Sequence, residues 1–371
     1  MKKILLTLTC LTVFASAYAL TESEWYTFAQ GYRSTYNIAT FKKSDAPSKL
    51  DPLKSPSVFD ALDPSIPNEL DKLISKENTR IFIASYHRQI ILERYAQGWL
   101  KNSTPLGYSM TKSLTSLTVG KALCDGKIKN LSMRGQQVAA KLGNTSWGLA
   151  TVDELLSMRS GSSKHSTVNG WQDGADPVAS WPLYTGSMSD DYYPLLERFD
   201  RKLNPPGAVF QYNNFDTIAL GLIIDEVTSG QFQEYFQKNI WQHVGSSKDG
   251  ALLRSRKNQM AAHSGFSAAP EDWLRIGHFV MDEYKNEDSC FGQYLRKATT
   301  DISKFPSSAR CYGYQIWTYC GDKGLFFFTG SEGQYLYMIP GKDLVFYIHQ
   351  INESQTARVV ALVQKIRHIM N

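Results

Sequence analysis

The chain has 371 residues, 42% hydrophobic and 20% charged, enough apolar sequence to bury a large core in two or so lobes. Its net charge of +5 includes Lys2 and Lys3 and no Lys/Arg block, so a nucleic-acid-binding face is excluded in favour of an ordinary solvated surface. The seven histidines are scattered and no His/Cys pair has zinc-ligand spacing, so neither a metal nor a cofactor is expected.

Residues 1–19 read as a secretory signal. Lys2-Lys3 form the positive start, Ile4 to Phe14 the apolar run, and Ala17-Tyr18-Ala19 the cleavage site. A membrane anchor is the alternative, but the run is short for a bilayer span. Cleavage after Ala19 predicts a periplasmic or secreted product without stable membrane insertion. It also removes Cys10 and leaves Cys124, Cys290, Cys311 and Cys320. Four cysteines in an oxidising compartment permit three complete disulfide pairings, and a bridge among the last three is the expectation.

Residues 20–67, with Pro47, Pro52, Pro56, Pro64 and Pro67 among polar residues, predict an extended segment wrapping a folded body. Arg80 to Tyr95 predicts two strands joined by a polar turn. A helix is expected to follow Ser109, with Met110, Leu114 and Leu117 on one face and Ser109, Lys112, Ser113, Ser116 and Gly120 on the other. The second face suits either solvent or an internal polar cleft. The Ser- and Gly-rich stretch 162–191 predicts a long loop. Asp216 to Val227 predicts a buried helix ending at Ser229-Gly230. Strands are expected over 312–318, 324–329, 334–339 and 344–349, and a final helix over 356–369, with Lys365, Arg367 and His368 in its last turn. Strands at both chain ends around helices imply an α+β fold. One antiparallel sheet is flanked by helices and carries a mostly helical inserted lobe. The expected boundaries are an α/β lobe over 68–108 and 290–371 and a helical lobe over 109–289.

Two short motifs carry chemistry. Ser109-x-x-Lys112 stacks a hydroxyl and an amine on one helical face. Serine needs a neighbouring base, and a buried lysine becomes one when desolvation lowers its pKa. Tyr212-x-Asn214, in the run Pro205-Pro206-Gly207-Ala208-Val209-Phe210-Gln211-Tyr212-Asn213-Asn214, offers a phenol for proton transfer to a leaving group.

The order and spacing of these motifs resemble the serine β-lactamase and penicillin-binding-protein superfamily. The closer likeness is to its class C-type esterase and amidase branch, which includes the 6-aminohexanoate-dimer hydrolases. Tyr108 to Ser116 resembles the family's helix signature. Asp125-Gly126-Lys127 with Leu155 to Gly161, Tyr312 to Trp317 and Gly333 to Tyr337 resemble further motifs of the branch. The third motif departs from the family. Phe328-Thr329-Gly330-Ser331 stands where β-lactamases and peptidases carry Lys-Thr-Gly or His-x-Gly.

The resemblance implies a β-lactamase-like serine hydrolase acting on a small-molecule ester or amide. Ser109 is the implied nucleophile, Lys112 and Tyr212 move the proton, and Asn214 is a supporting residue. The backbone N–H groups of Ser109 and Ser331 are the implied oxyanion hole. Trp171, Phe328, Thr329 and Gly330 are candidate substrate contacts. A β-lactamase or DD-peptidase, and a silent binding protein on the same fold, are the competing readings. An α/β-hydrolase is disfavoured: Thr111 replaces the second glycine of its nucleophile elbow, and no late Asp and His context follows.

Overall fold

The computed structural model describes residues 38–54, 58–75, 78–162, 191–306 and 308–370. The expected signal segment, residues 163–190 of the expected loop, and Trp171 lie outside them.

Strand β1 (Ile38–Phe41) pairs antiparallel with Gly250–Leu253, and the backbone N–H groups of Ser44 and Ser48 donate to Ser246 and Gly245. The N-terminal segment therefore lies along the body, but it is not extended throughout. It contains α1 (Val58–Leu62) and α2 (Ser65–Asp71). Asp63 accepts from both the backbone N–H and the hydroxyl of Ser65, which organises the start of α2. Phe59, Ile66 and Leu70 give these helices a reason to fold, since all three are fully buried.

Strands β2 (Thr79–Tyr86) and β3 (Gln89–Tyr95) form the expected hairpin. Its turn residues His87 and Arg88 both take positive φ, 47° and 61°, the backbone twist that suits a two-residue hairpin. Helix α3 (Met110–Cys124) follows. Helix α4 (Asn214–Val227) is buried along most of its length and ends at Ser229 and Gly230, both with positive φ. Strand β4 (Gly250–Leu253) is the partner of β1. Helices α5 (Pro270–Lys285) and α6 (Cys290–Ala298) lead into β5 (Ser303–Lys304), β6 (Arg310–Tyr312), β7 (Trp317–Tyr319), β8 (Phe326–Thr329), β9 (Tyr335–Ile339) and β10 (Leu344–Gln350). Helix α7 (Thr356–Ile369) closes the fold.

Both chain ends build one antiparallel sheet in the order β3-β2-β10-β9-β8-β7-β6-β5. Side chains alternate across it. Ile81, Ile83, Phe328, Leu336, Val345 and Tyr347 join the core that contains α3, α4 and α5. Phe82, Phe327, Tyr335, Tyr337, Phe346 and Ile348 join the second core, against Val359, Leu362, Val363 and Ile366 of α7. Helix α5 packs on β2, β9 and β10.

The stretch expected as one strand over 312–318 is instead divided. Residues 313–316 leave the sheet between β6 and β7, and Gln315 adopts φ 56°. The buried Gln315 side chain donates to the carbonyls of Leu155 and Leu156 and accepts from Thr217, and its own carbonyl accepts from Ser113. These tertiary bonds replace the lost ladder pairing.

Two disulfides are present among the described residues. Cys311–Cys320 ties the β6–β7 hairpin, and Cys124–Cys290 joins the end of α3 to the start of α6. Helix α5 is also held to the sheet by a buried polar contact. Ser85 Oγ lies 2.7 Å from His278 Nε2, and His278 Nδ1 faces Asp343 Oδ1 at 3.5 Å. Ser85 and His278 are fully buried.

Candidate active site

Helix α3, which follows Ser109, is buried on both faces. Every residue from Met110 to Gly120 is inaccessible, so the polar stripe faces an interior, not solvent. Its hydroxyls find acceptors on other elements. Thr115 donates to the Ala262 carbonyl, Ser113 to the Gln315 carbonyl, and Ser116 bonds with the Tyr294 hydroxyl. Thr111 donates to the Tyr108 carbonyl and accepts from the Phe266 N–H. A buried polar group without such a partner would be costly.

Ser109 sits immediately before this helix and uses no side-chain oxygen to cap it, so its hydroxyl is left for other work. The residue before it, Tyr108, has φ 45°, an uncommon backbone conformation for a bulky side chain. Gly107 donates to the Phe266 carbonyl at 2.7 Å. A Cβ at Gly107 would meet the Trp273 ring at 2.6 Å, so the chain can approach this wall only as glycine.

Lys112 Nζ lies 3.0 Å from Ser109 Oγ and donates to the His263 carbonyl at 2.8 Å. Its side chain is completely enclosed, and burial lowers its pKa to about 7. Near neutral pH a large fraction is the free amine, with a lone pair available to the serine proton. Tyr212 completes the group. Its ring centroid is 5.2 Å from Lys112 Nζ, and a hydrogen bond links its hydroxyl to Ser109. Burial raises the Tyr212 pKa above its ordinary value, and the Ser109 bond offsets only part of that rise. The phenol is thus a proton donor at rest. Rings of Tyr312 and Trp317 fix it from the sides, with centroids at 5.9 and 5.6 Å.

Asn214 is the first residue of α4, while Asn213 caps the helix by accepting from the Phe215 N–H at 2.7 Å. The bonds of Lys112 run to Ser109 and to the His263 carbonyl. In the first turn of α4, Asp216 is fully buried and accepts from Trp147 and Ser160. Burial pushes its carboxyl up to about 7 against those bonds.

Ser109, Tyr212, Thr329, Gly330 and Ser331 share one cleft of about 680 Å³, walled also by Phe210, Phe305, Arg310, Trp317, Glu332 and Glu353. Phe328 is not part of it. It is exposed to neither solvent nor cleft, being 0% accessible in the core beneath β8, which corrects its assignment as a substrate contact. Alternation on β8 instead brings Thr329 to the cleft. Gly330 follows at the strand end. A Cβ there would fall 2.7 Å from the Gly107 carbonyl and 2.6 Å from Gln334 Oε1, so the glycine sets how closely the strand approaches the backbone ahead of Ser109. Among the described residues, neither the Ser109 N–H nor the Ser331 N–H donates to a backbone acceptor.

Two site features escaped the sequence. The His263 carbonyl is a backbone group about 150 residues from Lys112 with no side-chain signature, the separation being 151. Arg310 reaches the cleft only because β6 folds beside β7, one strand removed from β8.

The Beta-lactamase family profile matches residues 81–361. The chain belongs to that family and is a serine hydrolase on the β-lactamase fold. Within it, the chain is 24% identical over 311 residues to the 6-aminohexanoate-dimer hydrolase of Paenarthrobacter ureafaciens, covering 77% of this chain and 76% of the relative. Among solved structures it is similar to a Bacillus anthracis protein assigned as a 6-aminohexanoate-dimer hydrolase. The TM-score is 0.74 at 20% identity, covering 94% of this chain and 96% of that one. A class C β-lactamase gives a TM-score of 0.64 at 13% identity, with 86% and 99% covered.

Proposed function

We propose that the protein is an exported hydrolase of linear amides or esters, working through an acyl-enzyme on Ser109 and related in substrate class to the 6-aminohexanoate-dimer hydrolases. The observation that carries this reading is the enclosed Lys112 amine, brought to a pKa of about 7 by burial and placed 3.0 Å from Ser109 Oγ. Ser109 gives its proton to Lys112 as it attacks the carbonyl. The oxyanion is held by the N–H groups of Ser109 and Ser331. Tyr212, protonated at rest, donates to the departing alkoxide or amine and recovers its proton through Lys112. Water then releases the acyl group by the reverse transfers.

The apolar Phe328 at the third motif weighs against β-lactam and cell-wall peptide substrates, since no cation projects from that position. The two disulfides support an oxidising compartment and so export. A fluorophosphonate probe tests the core of the proposal. The wild type is expected to label and Ser109→Ala to remain unlabelled; equal labelling of both would overturn it. Faster turnover of nitrocefin than of p-nitrophenyl esters would overturn the substrate class alone.

A further inference from the structure

The cleft contains a cation that no sequence motif announces. Arg310 stands at the start of β6 and lines the same cavity as Ser109, Tyr212 and Ser331. Its guanidinium lies 5.9 Å from the ring centroids of both Phe327 and Tyr335 and donates one bond, 3.1 Å from Nη2 to the Tyr335 hydroxyl. These are neutral partners. Among the described residues no carboxylate lies within ion-pair distance of Arg310, although Glu332 and Glu353 line the same cleft.

The arginine is also held in place. Arg310 pairs with Tyr319 across the β6–β7 hairpin, and the adjacent Cys311 is covalently joined to Cys320. Its backbone N–H donates to Ser308 at 3.1 Å. A half-buried, stacked guanidinium loses little further freedom on binding, and its planar fork matches a carboxylate with two parallel hydrogen bonds. A permanent charge facing a cleft, with no acid partner among the described residues, calls for an anion from the substrate.

We propose that Arg310 is a specificity-determining residue that recognises a carboxylate on the substrate, remote from the scissile carbonyl. It supplies from β6 the positive charge that Phe328 withholds from β8. This inference rests on the hydrolase reading above. It narrows the substrate class to amides or esters bearing a free carboxylate on the acyl or the leaving side.

The test compares matched pairs: the mono-p-nitrophenyl ester of glutaric acid against p-nitrophenyl valerate, and 4-acetoxybenzoate against 4-acetoxytoluene. In wild type, kcat/KM is expected to favour the carboxylated member of at least one pair. Arg310→Gln is expected to lower that preference ratio about 10–100-fold, the range of a lost charge-assisted contact, with the change in KM. Arg310→Lys should restore part of it, as a point charge without the fork. A merely structural Arg310 would lower both members together and leave the ratio unchanged, which would overturn the proposal. No wild-type preference in either pair would also overturn it.

Glutarate binding to Ser109→Ala, measured by calorimetry, gives a readout without turnover. Weakening by added Arg310→Gln supports the carboxylate site, and unchanged or absent binding counts against it. Persistent hydrolysis by Ser109→Ala would instead sink the nucleophile assignment, so the two failures are told apart.

Discussion

Lys112 donates to the backbone carbonyl of His263 at 2.8 Å. The partner is a neutral dipole, so it satisfies one N–H without holding the lysine in its charged form. Burial alone sets the shift, and it runs downward to about 7. A carboxylate at the same place would pull the pKa the other way and remove the base.

The base must be unprotonated to act. Activity is therefore expected to rise with pH through about 7 and to fall by about tenfold per unit below it. A kcat/KM profile on a neutral ester checks this. Lys112→Arg, with its permanent charge, should lose at least ~10³ in kcat/KM and show no such limb.

The same lysine links stability to pH. Its folded pKa is depressed, so between about 7 and 10.5 the unfolded chain binds a proton that the folded chain has released. Wild-type stability relative to Lys112→Met should rise over that window by about 1 kcal/mol per pH unit. Urea midpoints of the two proteins at pH 7 and pH 9 measure the difference. A constant gap would mean that the amine stays charged in the fold.

Tyr212→Phe keeps the ring between Tyr312 and Trp317 and removes only the hydroxyl. Turnover of an anilide, whose leaving amine needs a proton, should fall ~10²–10⁴-fold. A p-nitrophenyl ester, whose leaving group departs unprotonated, should lose far less. Steady-state kinetics on both substrates give the contrast.

Gly330→Ala would place a methyl against the Gly107 carbonyl at 2.7 Å and push the strand end away from the serine. The displaced Ser331 N–H predicts a loss of ~10²–10³ in kcat with little change in melting temperature. Ser331→Ala, which keeps the backbone donor, should retain most activity. Comparable losses in the two variants would move the oxyanion site elsewhere.

Cys124 and Cys290 are 166 residues apart, so their bond closes a long loop. Replacing both with alanine should cost about 2–5 kcal/mol of stability, read from denaturant midpoints. The Cys311–Cys320 bond closes a span of only nine residues, so Cys311→Ala with Cys320→Ala should cost less. Its main effect should fall on the hairpin that presents Arg310.

The sequence exposes what is local. The Ser109–Lys112 spacing, the β2–β3 turn, the last three strands and the final helix all follow from periodicity and turn chemistry within a few residues. What depends on tertiary contact was not visible. Gln315 reads as a strand residue by pattern, yet its bonds to Leu155, Leu156 and Thr217 draw it out of the sheet. Phe328 aligns with a substrate-facing position, but the pleat turns it into the core. The Cys124–Cys290 bond, the His263 carbonyl and Arg310 each join segments that only the fold brings together.

Ser85, His278 and Asp343 stand in the order of a serine–histidine–acid relay, yet the hydroxyl and imidazole are sealed between α5 and the sheet. The serine with the more familiar companions is the one no substrate meets. Reactivity in this molecule is a matter of address: Ser109 opens onto the cleft with a lysine behind it, and Ser85 serves as a rivet.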